Sequence, residues 1–584
     1  MVRSLNDQSV NYVDPMKLQW TICDGIGPFF RVCPQERINW SKIPFYAIEI
    51  AWQDGLEHFW EKIFEDFSHY CRAVQRVGFN VITLDDLAHL YQHPSYPEAL
   101  RNKIDIYRRQ FGHLFEIAQA HGLEVWLTSD LIFWNCHLQV SLEISKLSLE
   151  TFFKEACQSV LRDFPQIKGL VLRFGESDGK DVEGDFMSKL AVRTPKQMRQ
   201  FLKNLLPIFE ELQRWCILRT WSVGVYSIGD MIWNPKTIEQ SLQGLSSTRL
   251  VLSMKYGQSD FFRYLTINEC FWVSPFPKIV ELQGRREYEG AGRFPSFIGK
   301  EYEIYRNELS ECALLSGIMV WTQTGGWTKC RRLTFLDANG LWNEINVKVT
   351  VALFQSNRSC EDVLRDLWQE LVPEMALEPW LKFCHLSHEA IRRSFYIEDF
   401  ALQRLFFRRV RIPPMLGITW DTIWIHPLLN EVIRPYLVDS TRMLSRSWEA
   451  VSMVDEMLEI IGDHPLKADL LLFRDTVEML VLTRQIAFGH DRESYYVRLR
   501  ELLEQSRHPE SYHCQFPKDY SPKSLSLMRC IRFFWRDREK YRIFDHIFTL
   551  RLMAAVFPWI YKFKKKHIPK DLRDQAMGIE SLFK

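Results

Sequence analysis

A (β/α)8 barrel followed by an all-α region is the fold class that this 584-residue sequence predicts. Short apolar strand signals alternate with amphipathic helical ones from about residue 41 to residue 350. Eight such strand signals occur, which is what closure of this barrel requires. Charged residues recur just past the apolar cores of the strands. In a barrel of this kind the C-terminal strand ends converge on one mouth, so residues distant in sequence become neighbours.

The elements follow in order. Residues 1–40 read as an N-terminal extension, 41–350 as the barrel and 351–584 as a helical C-terminal region. The first strand is expected at Phe45–Ala51, with an amphipathic helix from about Gly55 to Val77. Gly78 suits the left-handed conformation that ends a helix, and Phe79–Leu84 and Asp85-Asp86 repeat the unit. A third copy places a helix around Tyr107–His121, then Gly122, Leu123–Leu127 and Thr128-Ser129-Asp130. Gly169–Arg173 is the fourth strand, Cys216–Trp221 the fifth, Leu250–Met254 the sixth, Lys278–Val280 the seventh and Gly317–Thr322 the eighth. Helix, glycine, strand and polar end is the pattern of βαβ units. The rival, a doubly wound open sheet, normally brings a phosphate-binding glycine loop, and no Gly-x-Gly-x-x-Gly or P-loop occurs. Beyond 351 helical apolar spacing takes over, as in Ala401–Arg408, Met443–Ile461, Ala468–Phe488 and Leu525–Phe563.

Composition narrows the function classes. Hydrophobic residues at 46% and charged residues at 25% are ordinary globular values. A formal charge of +1 gives no bias toward nucleic acid or an anionic membrane. The 20 Trp and 40 Phe exceed ordinary core needs; most fill core, while Trp at a barrel rim makes platforms for sugar rings. Thirteen scattered Cys without a Cys-x-x-Cys pair argue against a disulfide framework and for a reducing compartment. The first residues lack an apolar signal core, and no run of about 18 apolar residues occurs. A cytoplasmic enzyme is the expectation, with Asn357-Arg358-Ser359 read as a chance glycosylation match.

Carboxylates at strand ends carry the chemistry. Glu176 follows the fourth strand in Arg173-Phe174-Gly175-Glu176, Asp260 follows the sixth, and Glu281 and Glu287 compete after the seventh. Two carboxyl groups facing each other across a substrate are the working parts of a glycosidase, at about 6.5–9.5 Å for inversion and about 5–5.5 Å for retention. Glu281 and Glu287 share parity; in a regular strand six steps separate them by about 20 Å, so only one can sit at the mouth. Barrel geometry favours Glu287, with Glu281 a buried acid paired inside, or the site itself if the strand ends early. Arg173, Arg219 and Lys255 share this rim. They either balance buried carboxylates or grip a carboxylate on the substrate. Trp52, Trp126, Trp221, Trp321 and Trp327 also fall near strand ends, Trp327 being a candidate sugar contact. Cys384-His385-Leu386-Ser387-His388-Glu389 invites a metal reading, but a closed site needs further ligands, so neither metal nor cofactor is expected. The chain lacks a Gly-x-Ser-x-Gly nucleophile elbow.

These segments resemble the alpha-glucuronidases of glycoside hydrolase family 67. The family's Lys-Asn-Gly-x-x-Asp segment is matched by Lys255-Tyr256-Gly257-Gln258-Ser259-Asp260. Its Glu-(Leu/Phe)-Gln-x-x-Gln-Glu-Tyr segment is matched by Glu281-Leu282-Gln283-Gly284-Arg285-Arg286-Glu287-Tyr288. Gly175-Glu176-Ser177 is similar to the Ser-Glu-Gly context of its acid, and Arg219 matches its intervening arginine. The resemblance implies an inverting, exo-acting hydrolase with Glu176 as general acid and Asp260 and Glu287 sharing the general-base role. Lys255 and Arg219 would hold the uronic acid. The departures are Tyr256 for Asn, Arg286 for Gln, and no counterpart of the family's N-terminal β-sandwich.

The expected function is therefore release of a terminal uronic acid or related sugar from an oligosaccharide. The rivals are a non-catalytic carbohydrate-binding or assembly protein on the same barrel, and an aldolase or isomerase, for which Lys255 is the one Schiff-base candidate. The expected partner is a carbohydrate, not nucleic acid or membrane. The helical region packs on the barrel or, in a homodimer, on a partner subunit. Lys562, Lys564, Lys565 and Lys566 near its end read as a solvated helix terminus.

Overall fold

The computed structural model describes residues 18–505 except segments 25–28, 32–42, 53–55, 146–147, 175–183, 223–225 and 323–331, single positions such as 44 and 189, and a few short stretches between 408 and 491. Beyond 505 it describes 512–514, 536–537 and two isolated positions. Eight parallel strands close into a barrel in chain order: β1 Trp20–Asp24, β2 Val81–Asp85, β3 Glu124–Asp130, β4 Ile167–Arg173, β5 Trp215–Arg219, β6 Leu250–Lys255, β7 Lys278–Gln283 and β8 Leu315–Trp321. The ring closes where β1 pairs with β2 on one side and β8 on the other.

Seven of the strands lie where the sequence puts them. The first does not. Phe45–Trp52 is a helix, and its burial shows why: Phe45 and Ile48, three residues apart, are buried while Ile50 is 48% exposed. The true β1, Trp-Thr-Ile-Cys-Asp, is short and half polar, and it lies before position 41. Its five residues are nonetheless all buried, because they sit between two strands and under helices.

Side chains fill the N-terminal end of the lumen. Trp20 packs edge-on against Trp126 at 5.4 Å and Trp215 at 4.8 Å. Glycine on the neighbouring strands makes the room. A Cβ on Gly169 would lie 3.2 Å from both Trp126 and Trp215, and one on Gly317 would lie 2.6 Å from the Trp20 carbonyl oxygen. Trp126, expected near the mouth, therefore belongs to this plug, because it is only the third residue of β3.

Local signals set the outer helices. Pro195–Glu211 begins with a capping box, in which Thr194 and Gln197 satisfy each other's backbone N–H. Gly78 and Gly122 both take positive φ, +106° and +74°, where a helix gives way to the next strand. Leu341–Gln355 is the last barrel helix, and its Gln355 donates to the Gly78 carbonyl and Thr21 hydroxyl.

The C-terminal region is mainly helical: Cys360–Leu371, Leu377–Ser394, Ser440–Ile461, Lys467–Phe488 and Arg492–Glu504. Ala401–Arg408, expected as a helix, is instead mostly the end of a short helix and a strand, Leu405–Phe407, which pairs with Val410–Arg411. Arg484 fixes the helix pair from within, donating to the carbonyls of Arg393 at 2.7 Å and Tyr396 at 3.2 Å at a helix end that lacks intrahelical donors. Within the expected helix Leu525–Phe563, Arg536–Asp537 is instead a strand that pairs antiparallel with Leu405–Phe406; apart from two isolated positions the rest of that segment, and the lysine cluster, lie outside the described residues.

Candidate active site

The last residues of the strands form a charged ring. Asp24, Asp85 and Asp130 end β1, β2 and β3; Arg173, Arg219 and Lys255 end β4, β5 and β6; Gln283 and Trp321 end β7 and β8. They face inward. The thiol of Cys23 lies 3.3 Å from the Tyr70 hydroxyl on the covering helix Leu56–Val77, so alternation turns Asp24 toward the lumen. Register sets Asp24 beside Thr83 and Trp321, and Lys255 beside Glu281.

Glu281 sits one inward layer deeper and is fully buried. Arg219 Nε donates to both carboxylate oxygens at 3.1 and 3.2 Å, Ser253 Oγ donates at 2.8 Å and Trp321 Nε1 at 3.2 Å. The Arg219 guanidinium also lies 4.3 Å from the Trp321 ring centroid. Glu281 is thus the acid paired inside the barrel. Its task is to orient Arg219.

Glu287 reaches the mouth by a route that extrapolation of the strand does not anticipate. The strand ends at Gln283. The chain then turns through Arg286, whose φ is +56°, and the Glu287 N–H returns to Gln283 Oε1 at 3.0 Å. Gly284 allows the turn to press against the helix, since a Cβ there would lie 2.4 Å from Val347 Cγ2. Burial first and the Asp260 carboxylate second push the Glu287 carboxyl up to about 7, against Lys255, Gln283 and Arg285. Asp260 itself pairs with Lys255 and accepts hydrogen bonds from the Tyr288 hydroxyl at 2.7 Å and the Phe261 N–H at 2.9 Å. The Lys255 ammonium lies 3.5 Å from the Trp221 ring centroid and 4.3 Å from that of Phe261. Asp260, Glu287 and Lys255, with Trp221, therefore form one cluster.

Two residues further on, Glu289 anchors the same loop from behind. It accepts from Arg263 at 3.1 Å, Arg286 at 2.6 Å and the Tyr396 hydroxyl at 2.6 Å. Burial opposes ionisation of Glu289, but Arg263 and Arg286 overcome it and hold the carboxyl well below the usual range. Arg263 also reaches Glu301 at 3.4 Å and His388 Nδ1 at 2.9 Å. Tyr396 and His388 come from the helical region, which thereby braces the loop carrying Glu287. His388 therefore faces a guanidinium, while His385 contacts Lys300; the two histidines do not share one site.

Arg173 lies on the other side of the mouth, with Nε 3.1 Å from Asp130 and a terminal nitrogen 3.5 Å from Asp85. Glu176 and Trp327 fall outside the described residues, as does the side chain of Trp52. The sequence reading missed Asp24, Asp85 and Asp130 as site residues, although the last two stand in it as polar strand ends; Asp24 was hidden with its strand. It also missed Glu289 and Arg263, whose signal is spatial only.

No protein-family model and no curated protein matches the sequence. Among solved structures the chain is similar to a GH138 enzyme targeting pectin rhamnogalacturonan II, with a TM-score of 0.49 and 12% identity, over 89% of this chain and 63% of that one. It is also similar to a mutant O-GlcNAc hydrolase of Thermobaculum terrenum, with a TM-score of 0.38 and 11% identity over 86% of this chain and 94% of that one. A third is CpGH84B, with a TM-score of 0.37 and 10% identity over 76% and 70%. These structural neighbours are glycoside hydrolases, and the chain spans about 63% of the length of the first.

Proposed function

We propose that this barrel is a glycoside hydrolase of the alpha-glucuronidase kind, releasing a terminal uronic acid or related sugar with inversion. One observation carries the reading: Asp260 and Glu287 gather around Lys255 at the C-terminal mouth, with the Glu287 carboxyl pushed up to about 7. A carboxyl in that range gains and loses a proton near neutral pH, which is what acid–base catalysis asks of it.

In this reading Glu176 protonates the leaving oxygen, and the Asp260–Glu287 pair takes a proton from the attacking water. Lys255 and Tyr288 hold Asp260 in place, so the pair is oriented before substrate arrives. Lys255 and Arg219 supply the positive field for the sugar's carboxylate, Arg219 being aimed by Glu281 and Arg173 braced by two aspartates. Trp327 would be a further contact to the sugar.

Proton NMR of hydrolysis tests the stereochemistry. The anomer released first should be opposite in configuration to the substrate, and initial retention would overturn the mechanism. Glu176→Gln should slow poor leaving groups far more than good ones, because they depend on protonation. An equal loss for all leaving groups would remove Glu176 from the acid role.

A further inference from the structure

The function proposed above employs the cations of β4–β6 and the acids of the rim, but it gives the aspartates of β1–β3 no direct contact with sugar. Two of these have clear partners. Asp130 and Asp85 flank Arg173, and the second oxygen of Asp85 accepts the Ile43 N–H at 3.1 Å. Asp24 differs from both. It is 1% exposed, and Thr83 Oγ1 donates to its Oδ1 at 3.1 Å, while its Oδ2 has no hydrogen-bond partner among the described residues. Arg219 lies near enough to act on it electrostatically, but Nε of that arginine is bound to Glu281.

A buried carboxyl oxygen without a hydrogen-bond donor carries a desolvation cost that, among the described residues, only the electrostatic pull of Arg219 and Arg173 offsets. An apolar or amide side chain would close this end of β1 at lower cost. The oxygen is also placed where ligands meet this fold, on the inward face of a strand end, next in register to Trp321.

We propose that Asp24, with Asp85 and Asp130 beside it, is the hydroxyl-recognising wall of the sugar site. Its carboxyl would span neighbouring hydroxyls of the pyranose whose acidic group faces the cations of β4–β6. The inference rests on the glycoside reading and extends it from the reacting bond to the ring. Burial pushes the Asp24 carboxyl up to about 7, against Arg219, Thr83 and Arg173. Such a group both donates and accepts around neutral pH, as a sugar hydroxyl does. The division of labour follows from charge: the arc of cations takes the anionic substituent, and the arc of acids takes the neutral polar edge.

The test is calorimetric binding of D-glucuronic acid and its 2-, 3- and 4-deoxy analogues to the full chain, before and after Asp24→Ala. The protein without substitution should lose affinity by about 10–100-fold for each of the two analogues that lack one of the neighbouring contacted hydroxyls. In Asp24→Ala that penalty should disappear, so that parent and both of these analogues bind alike, while the ranking of the third analogue persists. Asp24→Asn, isosteric and neutral, gives the same reading with less risk to folding, and its penalty should shrink. An unchanged ranking in the variants overturns the proposal, as does absence of binding by every sugar of the panel. Hydrolysis of aryl glycosides keeps the two readings apart. Hydroxyl selectivity that depends on Asp24 without turnover removes the glycosidase reading alone; turnover without that dependence removes the Asp24 wall alone.

Discussion

Glu281 and Glu287 leave the same strand six residues apart and meet opposite fates. Glu281 is enclosed by an arginine, a serine and an indole that together supply donors to both its oxygens. Glu287, also buried, has an acid for a neighbour, and its carboxyl rises to about 7. Burial comes first in raising Glu287 and the Asp260 carboxylate second. What separates the two acids in the structure is their partners: donors on both oxygens for Glu281, a second carboxylate beside Glu287.

The largest effect should come from removing the reactive member. Glu287→Gln is expected to lower kcat by roughly 10²–10⁴-fold with KM changed much less, the range for a lost acid–base group. A loss below tenfold in steady-state assays would erase the contrast with Glu281. For the structural member the deficit should appear in stability. Glu281→Ala leaves the Arg219 charge buried without its carboxylate, a change of about 3–5 kcal/mol, readable in denaturant unfolding. If the protein unfolds at the unchanged midpoint, Glu281 does not hold the interior together.

A smaller effect tests the brace behind the loop. Tyr396→Phe deletes the hydrogen bond to the charged Glu289, worth about 1.5–3 kcal/mol, together with the one its hydroxyl accepts from the Arg263 N–H. Stability should fall, and kcat should fall with it, because the loop bearing Glu287 loosens. Unchanged kcat in the well-folded variant would confine the helical region to support of the fold.

The smallest effect is the pH dependence of stability. The folded-state value of Glu287 lies above the ordinary carboxyl value of 4.5, so the folded protein binds this proton more tightly than the unfolded chain. Its contribution is fully present below about 4.5 and is lost as pH rises through about 7. Glu287→Gln should therefore be more stable than the parent above pH 7. The same titration requires base-dependent activity to fall as pH drops through about 7. Parallel melting and rate profiles check both statements.

Periodicity made most of the barrel legible, because strands β2–β8 carry continuous apolar runs with polar ends. β1 escaped because Trp-Thr-Ile-Cys-Asp offers few apolar residues, while the amphipathic segment at Phe45 has more of them and is a helix. Glu287 lies beside Asp260 and Lys255 because the chain turns at Arg286, where the distance argument had assumed a regular strand. The Glu289–Arg263–Tyr396 brace was invisible, since its members stand up to 133 residues apart and each alone resembles surface charge.

The indole plug of Trp20, Trp126 and Trp215 has a kinetic corollary. In the proposed hydrolysis, the sealed lower end of the lumen leaves the upper opening as the common passage for incoming sugar, outgoing products and the water consumed in each turnover. The nucleophilic water must then be in position before the sugar settles or slip past it, so bulkier leaving groups should retard water entry as well as their own departure.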